Sequence, residues 1–474
     1  MSVFCLVGAF FSASSLVSLS ADEWRRYEQE FVVEFATEQE AAQATAQALE
    51  LPPGKTLAIS SRWDDTNNEH LLMTKTLREN GWKGTFLLNG FNDHFVANIV
   101  EPILADGNSV GVHTFTHPHL ETVSINRTFY ELLGNRVDIE TRTNSCVSSM
   151  TFPFGLRDTD NPSLSTAAEQ GEAIRRAGIL GGGEYATIAE IMGLSVEEFI
   201  STHLIRANDR DPNAEQFARE FENAKKRIAE GKNFCGPIIA LGVHSWQRKV
   251  HADGFDRLSK IIATESNKAE YWYCNADEYI AYRMEYLNSA ISKVRQEGTR
   301  VTFRVSRIMP FELGRSMEMG IRVSPAPTKV ATKVGASERL VELCDNGEFL
   351  LPHAEGQRSP ARIVLARNLE GVKISATTDL SKNERVLTIT NESDKYLTNF
   401  HITTRLPLLW KVGIHREFVE KIATGESISL TLPLGEREVD QKYLVDDLFV
   451  VIQCDFEFGD EQVRAYYEEK KSVK

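Results

Sequence analysis

The sequence predicts an α/β protein, a distorted (β/α) barrel followed by a C-terminal β-sandwich-like domain. From Thr56 to about Met284, short apolar runs alternate with helical patterns, which is typical of a mostly parallel sheet or barrel with outer helices. Beyond about residue 290, short alternating runs are separated by Gly, Asn, Asp and Pro, as in an antiparallel β-sandwich. The chain has 474 residues, and one hydrophobic core stops growing at roughly 250 to 300 residues. We therefore expect at least two domains.

The first 50 residues precede the α/β pattern. Residues 1–21 form an apolar stretch that ends in small residues, so they resemble a secretory signal peptide and predict a secreted or periplasmic protein. Because residues 1–21 contain no Lys or Arg, unlike the usual start of a signal peptide, a buried helix remains an alternative. Residues 22–50 are charged and rich in Ala and Gln, and they predict an N-terminal helical segment that Pro52-Pro53-Gly54 ends.

Charge and composition exclude some classes of partner. With 53 Lys and Arg against 67 Asp and Glu, the formal net charge is −14, which argues against nucleic acid or anionic lipid as partner. No stretch after the leader has the roughly 20 apolar residues of a transmembrane segment. The six cysteines form no C-x-x-C pair, so a cysteine zinc site is not expected, whereas one or two disulfides stay open. Nothing indicates the oligomeric state.

The polar residues of interest follow predicted strands of the α/β part, where such folds place their reactive groups. The runs that predict these strands are LAIS (57–60), GTFLLNG (84–90), SVGVHTF (109–115), TFPFG (151–155) and PIIALGV (237–243). Asp64 and Asp65 come after the first run. Neighbours on a strand point to opposite faces, so both carboxylates reach one site only if a turn begins between them. Taken alone, an Asp-Asp pair is more often a solvated loop or a helix cap.

A pair of histidines follows the third run. His113 and His117 are four residues apart, and Pro118 closes the turn. With one of the two aspartates they complete a two-histidine, one-carboxylate site with room for water, which suits one divalent metal. Zn²⁺ fits these ligands, and Co²⁺, Ni²⁺, Fe²⁺ or Mn²⁺ can occupy similar sites.

The order of these motifs resembles that of the polysaccharide deacetylases, the NodB-homology proteins of carbohydrate esterase family four. The resemblance covers residues 55–284. It rests on Asp64-Asp65, GWKGTFLLNG (81–90), the element from His113 to Pro118, the element from Met150 to Gly155, Leu241 to Ser245, and Trp272 to Glu278. The resemblance implies a barrel of the NodB-homology type, and we expect this catalytic domain over residues 51–290.

The resemblance also implies roles for single residues. Asp65, His113 and His117 would hold the metal, Asp64 would be the general base, and His244 the general acid. A metal there lowers the pKa of water and polarises the acetyl carbonyl, while the carboxylate accepts the water proton. An amide nitrogen leaves poorly unless it gains a proton, which is the part of the acid.

Further roles come from the third and fourth motifs. Pro153 and Phe154 match the Pro-(Tyr/Phe)-Gly motif, whose backbone N–H serves as an oxyanion donor and whose ring can form an apolar wall against sugar. Many members have Arg where this chain has Thr151, and that Arg orients the base. Arg206 is the candidate replacement. The Asp-x-x-Asp-Trp element that tunes the acid is not evident, and Asp209 or Asp211 is the candidate for it.

The residues and the resemblance together predict an enzyme that removes N-acetyl groups from an amino-sugar polysaccharide or oligosaccharide. One alternative is an O-acetyl carbohydrate esterase, which needs the same metal site and no strong leaving-group acid. Another is a non-catalytic carbohydrate-binding protein. A metal-free amidohydrolase is disfavoured because the ligand set would be unexplained. Residues 291–474 would form an accessory domain similar to immunoglobulin-like modules.

Overall fold

The computed structural model describes residues 24–471, apart from a few short gaps. The gaps are 162, 184–185, 196, 203, 207–213, 233–234, 243, 311–312, 336, 345, 355, 358, 380, 439 and 445. The predicted leader, together with Asp209 and Asp211, lies outside the described residues.

The elements follow the predicted change from α/β to β. The strands are β1 (Trp24–Glu34), β2 (Thr45–Ala48), β3 (Leu57–Asp64), β4 (Thr85–Leu88), β5 (Ser109–Val112), β6 (Ser149–Met150), β7 (Gly181–Gly182), β8 (Ile200–Ser201), β9 (Leu204–Arg206), β10 (Ile238–Gly242), β11 (Tyr271–Tyr273), β12 (Ser289–Glu297), β13 (Arg300–Pro310), β14 (Met319–Ser324), β15 (Lys329–Val334), β16 (Ser337–Val341), β17 (Glu348–Leu351), β18 (Arg362–Leu365), β19 (Val372–Asp379), β20 (Glu384–Asn391), β21 (Leu397–Arg405), β22 (Ile414–Ile422), β23 (Ser427–Pro433), β24 (Leu448–Phe458) and β25 (Glu461–Lys471). The α-helices are α1 (Glu38–Gln43), α2 (His70–Glu79), α3 (Asp93–Phe95), α4 (Glu101–Ala105), α5 (Ile125–Thr143), α6 (Ala167–Ala177), α7 (Ala186–Ile191), α8 (Ala214–Ala229), α9 (Ala252–Thr264) and α10 (Ala276–Leu287). Short 3-10 turns lie at Leu120–Thr122, Ser245–Lys249, Ala366–Asn368 and Gln441–Leu444, and a π-helical turn at Val96–Val100.

A parallel sheet forms the centre of the α/β part. Its strand order is β8-β7-β6-β5-β4-β3-β10-β9, and β11 also pairs with β3. Every pairing in it is parallel. Among the described residues no ladder joins β8 to β9, so the sheet is an open half-barrel. The predicted alternation of strands and helices is confirmed, and all the carboxyl ends of the strands meet at one rim.

The N-terminal segment departs from the prediction, because a helical segment over residues 22–50 is wrong for most of its length. Trp24–Glu34 is a strand that pairs with β13 from Trp24↔Pro310 to Glu34↔Arg300, and only Glu38–Gln43 is α-helical. Phe31 and Val33 lie on one face of this strand and are fully buried. The distant partner strand overrides the local helix propensity, because burial of this face outweighs it.

The part beyond residue 290 is β-rich, as predicted, but it contains several sheets. The sheet β12-β13-β1-β15-β16 and the sheet β17-β14-β2 both incorporate strands of the N-terminal segment and share one buried cluster. The sheets β18-β25-β24-β21-β22 and β19-β20-β23 share a second cluster. The β-rich region is therefore not confined to residues 291–474, since β1 and β2 complete its first half.

Buried polar groups join the last β-rich part to the α/β part. Arg176 Nη1 on α6 donates to the carbonyls of Pro407 and Trp410, both at 2.8 Å. The Tyr466 hydroxyl on β25 donates to Glu140 on α5 at 2.6 Å. Separating buried hydrogen-bonded groups leaves them without partners, which costs free energy. The two parts therefore form a fixed interface.

Two further findings concern the described residues alone. None of their helices combines the length and apolar character that a membrane crossing requires. All five cysteines among them are free thiols, namely Cys146, Cys235, Cys274, Cys344 and Cys454.

Candidate metal centre and active site

The first site residues lie at the end of β3, where side chains alternate between the two faces of the strand. Trp63 points into the hydrophobic core and its Nε1 donates to Ser61 Oγ at 3.0 Å. Arg62 and Asp64 share the opposite face. Arg62 Nε and Nη2 donate to the two Asp64 oxygens at 2.8 and 2.5 Å, and Nη1 donates to the Gly183 carbonyl at 2.7 Å. Asp64 thus has a bidentate partner two residues before it.

This ion pair sets the protonation state of Asp64. Burial alone would raise the pKa of the Asp64 carboxyl, but the charge of Arg62 and its hydrogen bonds outweigh burial, and His113 and His244 add to them. The pKa therefore lies well below its usual range, and the carboxylate is ionised at any pH near neutrality. The sequence names Arg206 as a candidate for this partner role. Arg206 ends β9 and pairs with Gly242, and its side chain is outside the described part.

Asp65 makes the turn that the sequence required. Its backbone is left-handed, with φ 72°, so its carboxylate lies at the rim beside Asp64 and not on the opposite face of the strand. Asp65 Oδ1 lies 3.1 Å from His117 Nε2 and 3.5 Å from His113 Nε2. The three ligand atoms all lie within 4.8 Å of one another.

The spacing of these atoms fits a metal ion. Tetrahedral Zn²⁺ with bonds of about 2.0 to 2.1 Å separates its ligand atoms by about 3.3 Å, which lies between the two distances from Asp65. Two imidazole nitrogens and one carboxylate oxygen are also the donor types that zinc takes in catalytic sites. The residues present therefore fit one divalent metal.

The tautomer of His113 is set by its neighbour. His113 is 2% exposed and follows β5 directly. Its Nδ1 lies 3.1 Å from the Thr151 carbonyl oxygen, which can only accept, so Nδ1 carries the proton and donates. Nε2 then presents its lone pair toward Asp65, which is the usual arrangement for a metal-binding histidine.

The loop that carries His117 is held in an unusual shape. Thr114 and His117 have left-handed backbones, with φ 63° and 59°. Glu131 on α5 accepts from the backbone N–H groups of Phe115 and Thr116, both at 2.7 Å. Backbone strain of this kind persists only where the surroundings fix it, and here the fixed loop turns His117 back toward His113.

The second oxygen of Asp65 faces the segment after β10. Trp246 Nε1 donates to Asp65 Oδ2 at 2.8 Å, and His244 Nε2 lies 3.9 Å from the same oxygen. Burial opposes ionisation of Asp65, but its contacts with His113 and His117, and then the hydrogen bond from Trp246, outweigh burial and lower the pKa of this carboxyl. Oδ2 is therefore already occupied, and Oδ1 is the oxygen available to a metal.

Exposed aromatic rings flank the cluster. Phe154 is 53% exposed, has a left-handed backbone, and packs 4.8 Å from the His117 ring. It stacks on His119 at 3.8 Å, while Pro153 beside it is buried. Within the described residues, the Phe154 backbone N–H has no hydrogen-bond acceptor. Trp246, 40% exposed, lies 5.2 Å from the His244 ring.

The structure brings together most of the residues that the sequence singled out. Those at one rim of the sheet are Asp64, Asp65, His113, His117, His244, Pro153 and Phe154. Sequence reasoning missed Arg62 and the buried His70. Arg62 carried a signal, because residues two apart on a strand share a face, whereas no pattern in the sequence marked His70.

The comparisons agree with the motifs. Residues 55–171 match the family model described as polysaccharide deacetylase. Over this part of the chain, the resemblance to polysaccharide deacetylases that the motifs indicated is confirmed. No curated protein matches the sequence.

Three solved structures are similar to this chain at low identity. A family 4 carbohydrate esterase from Streptomyces lividans is 14% identical with a TM-score of 0.31, and the match covers 44% of this chain and 90% of that one. A peptidoglycan deacetylase from Bacillus subtilis is 14% identical with a TM-score of 0.30, covering 48% and 91%. A pseudoenzyme from Bacillus anthracis is 17% identical with a TM-score of 0.28, covering 48% and 66%.

Proposed function

We propose that this protein is a metal-dependent hydrolase that removes N-acetyl groups from an amino-sugar polysaccharide or oligosaccharide. The observation that carries the proposal is the cluster of Asp65, His113 and His117 with the ionised Asp64 beside it. Such a cluster, within a polysaccharide deacetylase domain, supports hydrolysis of an acetyl group. The glycan and its linkage are left to experiment.

The metal in this proposal is Zn²⁺, with Co²⁺, Ni²⁺, Fe²⁺ or Mn²⁺ as possible replacements. When bound, it would supply Lewis acidity to the acetyl carbonyl and make water more acidic. The three side chains leave coordination positions open for substrate and water.

Asp64 takes the proton of the attacking water. Its low pKa makes it a weak base, so its contribution comes from position and from always being ionised. Arg62 holds both oxygens at 2.8 and 2.5 Å and so fixes the direction in which the remaining lone pairs point. The carboxylate is thereby oriented before substrate arrives.

His244 gives a proton to the departing amine nitrogen. It is half-buried and lies across Asp65 from the two metal-binding histidines, 3.9 Å from Oδ2. The backbone N–H of Phe154 would stabilise the negative charge that develops on the acetyl oxygen. The exposed rings of Phe154 and Trp246 would form apolar walls against the sugar.

The proposal also includes two statements on context. Export rests on the pattern of residues 1–21 alone. The β-rich part beyond residue 290 is an accessory region of immunoglobulin-like type, and the fixed interface at Arg176 and Glu140 supports a scaffold role over that of a tethered module.

The test is acetate release from N-acetylglucosamine oligomers and from O-acetylated xylan, by residues 22–474 loaded with Zn²⁺. We expect chelator-sensitive release from the amide substrate, and its loss in His113→Ala. His119→Ala is the matched control, because His119 lies in the same loop outside the ligand cluster, and it should retain zinc. Release from the ester alone would identify an O-acetyl esterase, and retention of glycan without acetate a binding protein.

The non-catalytic alternative loses one of its two motives. The first was Thr151, which stands where many family members carry the Arg that orients the base, and the second was the altered fourth motif, whose candidates Asp209 and Asp211 lie outside the described residues. Arg62 contacts Asp64 in the manner expected of that partner. The proposal therefore keeps hydrolysis as the leading function.

A further inference from the structure

A buried histidine outside the ligand cluster lies directly behind it. His70 begins α2, is 0% exposed, and packs edge-on against Phe86 at 4.8 Å. Its Nε2 lies 2.5 Å from the backbone carbonyl oxygen of Asp65. A carbonyl oxygen can only accept, so Nε2 carries a proton and donates. In a neutral imidazole the other nitrogen, Nδ1, is then an acceptor.

The other nitrogen of this ring faces the segment of the proposed acid. Ser245 Oγ lies 2.8 Å from His70 Nδ1, and Ser245 itself is 1% exposed. Ser245 stands between His244 and Trp246 in the chain, and it begins the 3-10 turn Ser245–Lys249. One imidazole therefore links the Asp65 turn to the segment that bears His244.

The link acts where the backbone is strained. A left-handed backbone is strained at a residue other than glycine, and Asp65 has φ 72°. Its carbonyl accepts from His70 Nε2 and also, at 3.2 Å, from Asn67 Nδ2. These bonds stabilise the turn that places Asp65 Oδ1 beside His113 and His117.

We propose that His70 is a positioning residue that couples the metal-binding turn at Asp65 to the segment carrying His244 and Trp246. One nitrogen holds Asp65 for the metal, and the other holds Ser245 so that its neighbours face the same site. The second half of this inference rests on the proposed function, because it assumes that His244 takes part in a reaction.

Two substitutions separate the two nitrogens. The amide of Gln reaches the position of Nε2. His70→Gln therefore keeps the hydrogen bond to the Asp65 carbonyl and loses the hydrogen bond with Ser245. The shorter amide of Asn reaches the position of Nδ1. His70→Asn therefore keeps the hydrogen bond with Ser245 and loses the hydrogen bond to the Asp65 carbonyl. Leu77→Ala is the structural control, because Leu77 is buried in the core on the same helix, away from both contacts.

Zinc affinity, measured by competition with a chelating dye, tests the first half without any substrate. We expect His70→Asn to lower the affinity about tenfold, as loss of partners behind a ligand usually does, and His70→Gln to stay within about twofold of the wild type. Leu77→Ala should lower the melting temperature and leave zinc affinity unchanged. Equal zinc affinity in His70→Asn and the wild type would overturn the coupling to Asp65, whatever the substrate proves to be.

Steady-state kinetics test the second half. Ser245→Ala and His70→Gln should each lower kcat with little change in KM. The double variant should be no slower than Ser245→Ala, because Ser245→Ala already removes the contact with His70, together with the bond from Ser245 Oγ to Asn67 Oδ1 at 2.9 Å. Full additivity of the two effects, or wild-type kcat in both, would overturn the link to Ser245. Ser245→Ala removes only one hydroxyl group. The kinetic test with this variant therefore remains informative even if a His70 variant fails to fold.

Discussion

Arg62 and Asp64, two residues apart on one strand, form a buried bidentate ion pair at the rim of the parallel sheet, with contacts of 2.8 and 2.5 Å. The pair follows from strand geometry, because positions i and i+2 share a face. It places the charge that stabilises the proposed base on the same strand as the base. No distant loop is needed to supply it.

Arg62→Gln should move the acid side of the pH profile. Without the guanidinium, burial raises the pKa of Asp64, so the carboxylate protonates at a higher pH and kcat/KM falls there first. At neutral pH we expect a loss of at least about tenfold, since positioned acid–base groups contribute about 10²–10⁴. The measurement is kcat/KM from pH 4 to 9. Arg78→Gln is the control and should keep the wild-type profile, because Arg78 is an exposed residue on α2 that pairs with Asp106. An unchanged profile in Arg62→Gln would refute the assignment.

Trp246→Phe should weaken the metal site while keeping an aromatic wall. The change removes the N–H that occupies Asp65 Oδ2 at 2.8 Å, so the carboxylate is less well oriented. Zinc affinity should fall by up to about tenfold, and KM should change little. Trp63→Phe is the matched control, because Trp63 lies in the core and its N–H contacts only Ser61. Equal zinc affinity in both variants and the wild type would contradict the role given to Trp246.

Glu285→Gln should flatten the dependence of stability on pH. Burial raises the pKa of Glu285 to about 7, with Arg307 opposing, against an ordinary value of 4.5. A raised carboxyl pKa favours the folded state below the unfolded pKa, and this contribution is lost as pH rises through about 7. The loss is at most about 3 kcal/mol. Melting temperatures at pH 5 and 8 test it: the wild type should lose more stability than Glu285→Gln between these values, and parallel losses would argue against it.

Residues 51–290 alone should not form a stable domain. Cutting there removes the carbonyls that accept from Arg176 and the hydroxyl that donates to Glu140. Breaking a buried charged contact on one side costs about 3 to 5 kcal/mol. We expect aggregation, or a melting temperature well below that of residues 22–474, by circular dichroism. A soluble fragment with the zinc affinity of the longer protein would show that the interface is dispensable.

The sequence was informative about the site because its residues follow strands. His113 and His117 come after β5, Asp65 after β3, and His244 after β10, and the carboxyl ends of parallel strands meet at one rim. The position of each residue directly after a strand therefore predicted that their side chains lie close together. Arg62 was missed as a partner of Asp64 because the family pattern drew attention to Thr151, although residues two apart in SRWDD share one face of the strand.

The N-terminal strand was missed for a different reason. Its partner strand β13 begins at Arg300, so no nearby residue reveals the pairing, and the charged residues around Tyr27 and Glu30 favour helix locally. The apolar residues Phe31, Val33 and Phe35 alternate, which was the available strand signal. The contacts of His70 could not be predicted, because no sequence pattern indicates which groups lie next to the two ring nitrogens of a histidine at the start of a helix.

The central claim is that one metal held by Asp65, His113 and His117 acts together with the carboxylate of Asp64. The most direct test is acetate release from N-acetylglucosamine oligomers by Asp64→Asn, measured beside the zinc content of the same sample. We expect one zinc per chain, as in the wild type, with acetate release reduced by at least about 10²-fold. Wild-type release from Asp64→Asn, or a wild-type protein that binds no zinc yet releases acetate, would contradict it.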